Sequence, residues 1–110
     1  MSYGRERRKH VRLPLGFSVV NFESRLPHIS IRYNGSINDI SEGGMGIRAD
    51  KIPESGTIII LDFNLPKQKE KFDDVKSLVR WSYKKRFGVE FIALSDKYRE
   101  IIRKYLDEKE

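Results

Sequence analysis

The sequence has no cysteine, two histidines and a single tryptophan among 110 residues. Without cysteine there is no disulfide framework, thiolate zinc site, iron–sulfur cluster or cysteine nucleophile. His10 and His28 alone are too few for a histidine metal cage and a poor start for a hydrolytic triad. No apolar run approaches the ~20 residues of a membrane helix. The first twelve residues are too charged for a signal peptide. The expectation is a cytoplasmic protein without membrane insertion. At 12.9 kDa the chain can build one core and is too short for two.

Charge is concentrated rather than spread. The formal net charge is +6. Arg5, Arg7, Arg8, Lys9 and Arg12 face only Glu6 in residues 1–12, which leaves 17 basic and 15 acidic residues for the rest. A short basic arm on a nearly balanced body points to a local anion site more than to a broad polyanion surface.

Beyond the arm, apolar residues alternate in short segments, the mark of half-buried strands. A first strand is expected over Leu15–Ser24, opened by Pro14, and a second over Ile29–Asp39, with a bulge or turn at Asn34-Gly35. Ser41-Glu42-Gly43-Gly44-Met45-Gly46 reads as a sharp reversal between strands, and Pro53-Glu54-Ser55-Gly56 as a turn. Thr57–Leu65 is a strongly β-prone strand. Val75, Val79, Trp81 and Tyr83 alternate along the next, and Phe87, Val89 and Phe91 along the last. Six strands at this spacing argue for a small antiparallel β-barrel. The period then changes. Leu94, Tyr98, Ile101, Ile102 and Tyr105 form one face of a helix that Ser95 would cap, and that face is expected to cover an open end of the barrel.

Two short motifs suit one ligand. Arg8 and Arg12 stand four apart in the basic arm, and guanidinium groups grip phosphates bidentately and stack on purines. In Asp39-Ile40-Ser41-Glu42-Gly43-Gly44, strand geometry puts Asp39 and Ser41 on one face. One carboxylate can accept both N–H donors of a guanine edge. Gly44 would allow a positive φ and a close backbone approach behind the site. The chemistry is that of a site for a guanine carrying phosphate.

With these residues the chain resembles the PilZ domain, the bacterial receptor module for cyclic di-GMP. Arg8 and Arg12 fit that family's RxxxR motif, and Asp39, Ser41 and Gly44 fit its (D/N)xSxxG motif. Pro53-x-x-Gly56, Leu65-Pro66, Val79-Arg80-Trp81 and Gly88-Val89-Glu90-Phe91 are similar to its later features. The resemblance implies a mainly all-β fold: a six-stranded antiparallel barrel (13–94) with a flexible basic N-terminal arm (1–12) and a C-terminal α-helix (95–110). It implies that Arg8 and Arg12 bind phosphate and guanine, that Asp39 and Ser41 read a guanine edge, and that Gly44 shapes the turn. Arg7, just before the first motif, leans towards an intercalated pair of nucleotides. Lys9, Gly43, Arg80 and Trp81 are candidates for secondary contacts. Trp81 is expected in the core, with stacking on a base as the alternative, and Arg80 on the opposite face of its strand.

The function this implies is a non-enzymatic receptor or adaptor. Its arm closes on cyclic di-GMP and changes the surface shown to an effector protein, in motility, biofilm or exopolysaccharide control. No cofactor or metal is expected. Catalysis has little support, since the acids are scattered and no GxxxxGK[ST] loop is present. A small basic barrel for RNA or single-stranded DNA would need aromatics exposed in a basic groove. Here most aromatics alternate towards the core, so nucleic acid is not an expected partner. A ligand-independent interaction module using the C-terminal helix is the third reading.

Overall fold

Alternation of period two carries directly into the burial of the side chains. Val20 and Phe22, then Ile59, Leu61 and Phe63, then Val75, Ser77 and Val79, then Phe87 and Val89 point inward from four strands. The computed structural model describes residues 13–26 and 29–109. Its elements are β1 (Leu13–Leu26), β2 (Ile29–Ile40), β3 (Gly44–Arg48), β4 (Ile58–Asn64), β5 (Lys71–Tyr83), β6 (Arg86–Ala93) and α1 (Asp96–Lys109). The strands close into a barrel in the order β1-β2-β3-β6-β5-β4, with every neighbouring pair antiparallel. This is the expected fold class. Aromatic rings fill much of the interior. Phe63 stacks on Phe72 at 4.6 Å between centroids, and Phe22 meets Phe87 edge-on at 5.1 Å.

Two expectations are corrected. β2 runs unbroken through Asn34-Gly35, which pair with Asn21 and Val20, and its irregularity lies at Asn38 instead. Ile37 pairs with Ile47 and Asp39 with Gly46, so Asn38 is one residue too many. Such a bulge exchanges the two faces of a strand, which is why Ile37 and Ile40 are both buried at a spacing of three. The same device acts in β5. Val79 pairs with Val89 and Trp81 with Gly88, leaving Arg80 as the extra residue. Trp81 and Tyr83 therefore do not continue the buried face of Val75 and Val79. They are 47% and 66% exposed.

At the C-terminus, the Ser95 hydroxyl oxygen accepts from the Tyr98 N–H at 3.1 Å, as an N-cap should, and Asp96 sits in the first turn. Ile102, Tyr105 and Leu106 are buried in the barrel core. The Tyr98 ring lies 4.7 Å from Phe72, and its hydroxyl donates to the Lys71 carbonyl at 3.2 Å and accepts from the Asp73 N–H at 3.0 Å. From the far side of the same end, Arg103 reaches Glu42 at 3.6 Å. The helix thus lies across the end where β5 begins and β2 finishes. No helix among the described residues is long and apolar enough to cross a membrane.

Two consequences can be measured. Ile102→Ala removes a fully buried side chain that ties the helix to the barrel, and a loss of about 2–5 kcal/mol in urea unfolding is expected. Burial pushes the Tyr105 phenol above its ordinary value by desolvation. The unfolded chain releases that proton at about pH 10, while the folded chain still holds it. Stability contributed by the neutral phenol is therefore present below that range and declines as pH rises through the folded value. Tyr105→Phe should flatten the decline when melting temperature is followed from about pH 9 to 11.

Candidate functional site

The two bulges create one outward-facing row across four strands. Asp39 on β2 pairs with Gly46 on β3, Gly46 with Gly88 on β6, and Gly88 with Trp81 on β5. The two ends of the row carry large functional side chains and the two middle positions carry none. The Asp39 carboxylate leans over Gly46, whose N–H donates to Oδ1 at 3.1 Å, and a Cβ on Gly46 would lie 2.9 Å from that oxygen. The Trp81 indole lies over Gly88, where a Cβ would come within 2.6 Å of Cε2 and closer still to Nε1. Glycine at both positions is what allows each end group to lie down on the sheet. The result is a flat floor with a carboxylate at one end and an aromatic face at the other. It spans about 14 Å at ordinary strand spacing.

Beside this row stands the turn between β2 and β3. The Ser41 N–H donates to the Gly44 carbonyl at 2.9 Å and its hydroxyl donates to the same oxygen at 3.4 Å, leaving Ser41 buried. The Gly43 carbonyl accepts from the Phe91 N–H at 2.9 Å. Gly44 does not use a positive φ, which among the described glycines occurs only at Gly56. What it provides is close approach, since a Cβ there would collide with the Val89 carbonyl.

Ser41, Gly43 and Gly44 line a groove of about 340 Å³ with Arg80, Trp81, Gly88, Val89 and Glu90. Arg80 and Trp81 line it together, not from opposite faces as strict alternation predicts, because Arg80 is the bulged residue. Arg80 Nε pairs with Glu90 Oε1 at 3.5 Å. Asp39 does not line the groove but stands in the adjoining row, and β1 begins beside it, with Leu13 paired to Ile40 and Pro14 to Asp39. Arg7, Arg8, Lys9 and Arg12 lie outside the described residues. Gly46, Gly88 and Glu90 were not singled out from the sequence as site residues. A lone glycine in a strand, as at Gly88, does signal close approach. Only the register reveals that Trp81 is what approaches. The assembled groups can accept from a base edge, stack on a base and hold an anion.

The sequence model of the PilZ domain matches residues 6–108. No curated protein matches the chain in sequence. Among solved structures, the inhibitor of motility from Bacillus subtilis (MotI/DgrA) superposes with a TM-score of 0.67 at 19% identity, covering 90% of this chain and 49% of that one. YcgR from Escherichia coli in complex with c-di-GMP gives 0.66 at 16% identity, covering 90% and 44%. The chain therefore spans about half the length of these two proteins. The PilZ domain of YcgR with c-di-GMP gives 0.64 at 14% identity, covering 89% of this chain and 87% of that domain. At these identities the structural likeness shows the fold, and the sequence match supplies the family. The chain belongs to the PilZ domain family.

Proposed function

We propose that this protein is a non-enzymatic receptor for cyclic di-GMP. The observation that carries the reading is the glycine floor between Asp39 and Trp81, next to a groove lined by Ser41 and Arg80. Family membership and the c-di-GMP bound to YcgR and its PilZ domain support the choice of ligand. In this reading Asp39 accepts from a guanine edge, while Ser41, Gly43 and Gly44 hold the turn against the base. Arg8 and Arg12 supply phosphate and guanine contacts, with Arg7 and Lys9 beside them. What supports them is covalent: the chain they belong to enters β1 at Leu13 and Pro14, opposite Ile40 and Asp39.

Trp81 offers its face to a base, and Arg80 can exchange Glu90 for a phosphate. Binding then alters the surface presented to an effector protein in the cytoplasm, in motility, biofilm or exopolysaccharide control. A second reading draws on Trp81 and Tyr83, both exposed near the cationic Arg86, which is the arrangement single-stranded nucleic acid uses. Steep salt dependence without preference for a cyclic dinucleotide would favour it.

Calorimetric titration with cyclic di-GMP, with GTP, cyclic di-AMP and a short RNA as controls, tests the proposal. Selective, saturable binding is expected, and Arg8→Ala, Asp39→Ala or Ser41→Ala should each cost about 1.5–3 kcal/mol. Unchanged affinity in all three variants would refute the site. Trp81 is the single tryptophan, so its emission reports on the groove. Saturating ligand should quench it, and calorimetric binding with unchanged emission would move the ligand off the indole.

A further inference from the structure

We propose that Arg48 on β3 and Arg86 on β6 form a second phosphate-binding subsite, built into the barrel wall. It rests on the cyclic di-GMP reading and extends that site to residues borne by strands. The two arginines are direct cross-strand partners and both are exposed. Like charges placed opposite each other in an antiparallel pair destabilise it. No carboxylate among the described residues relieves them. Asp50, which shares a shallow polar groove with Arg48, is engaged by Lys85 at 3.9 Å.

The flanking residues point the same way. Ser36 on β2 pairs with Arg48, and Tyr83 on β5 pairs with Arg86. Read across the sheet, the row is hydroxyl, guanidinium, guanidinium, phenol. Every member can donate a hydrogen bond and none is an anion. The row directly beside it is the Asp39–Gly46–Gly88–Trp81 floor. Arg48 is two residues beyond Gly46 and Arg86 two before Gly88, a step of about 7 Å along either strand.

A nucleotide whose base lies over the two glycines carries its phosphate within reach of an arginine at that step. Paired guanidinium forks match phosphate oxygens bidentately. The subsite also lies across the Asp39 row from the end at which β1 begins.

The test is calorimetric titration of the whole chain, and of its Arg48→Ala/Arg86→Ala variant, with cyclic di-GMP and separately with inorganic pyrophosphate. Circular dichroism confirms that both fold alike. The variant is expected to lose pyrophosphate binding and to bind cyclic di-GMP about 10- to 100-fold more weakly or with one nucleotide fewer per chain. A fall in stoichiometry assigns the subsite to a second nucleotide, and weakening at constant stoichiometry assigns it to a phosphodiester of the first. Arg48→Lys/Arg86→Lys should fall in between, since an ammonium keeps the charge and loses the fork. Identical isotherms for the wild-type chain and the alanine variant, with both ligands, overturn the subsite. Pyrophosphate binding that depends on the pair, with no binding of cyclic di-GMP, upholds the subsite and overturns the ligand assignment instead.

Discussion

A strand has two faces, and a single extra residue exchanges them. The candidate site depends on that constraint twice. Asn38 turns Asp39 outward while returning Ile40 to the core, and Arg80 turns Trp81 outward while Val79 stays inside. Were either extra residue paired in register instead of bulged, alternation would run on unbroken and turn one end group of the floor into the core. The glycines are the complementary condition. Gly46 and Gly88 leave the middle of the row empty, so the carboxylate and the indole lie along the sheet instead of standing off it.

The barrel class, the helix with its Ser95 cap, and the reversal at Ser41–Gly44 were legible in the sequence, because period, capping chemistry and glycine content are local signals. The bulges were not. Asn34-Gly35 looks like a break and is continuous strand, whereas Asn38 looks ordinary and is the break. Nothing in the composition of β5 marks Arg80 as supernumerary. That follows only from its pairing with β6, where Val79 meets Val89 and Trp81 meets Gly88. Trp81 was therefore expected inside the barrel and stands outside it. Of the candidate site, the motif residues could be read from chemistry. The floor between them could not, since Gly46 and Gly88 become neighbours only when β3 and β6 pair.

The turn itself is held from several directions. Ser41 is bonded to Gly44, the Gly43 carbonyl accepts from β6, and Glu42 reaches Arg103 on α1. A carboxylate inside the candidate ligand-binding motif is thus joined to the helix that closes the barrel. The motif and the C-terminal element share a mechanical connection that does not pass through the core.

Closure of the sheet has one more consequence. β3 is paired along its length with β2 on one side and β6 on the other, so the wall at the candidate site offers no unpaired edge to another protein. A partner cannot join there by adding a strand, the route by which many small modules capture extended peptides through main-chain bonds alone. Recognition of the wall must be written in side chains. It is then specific to this sequence in a way that its backbone, shared with other barrels of the family, is not.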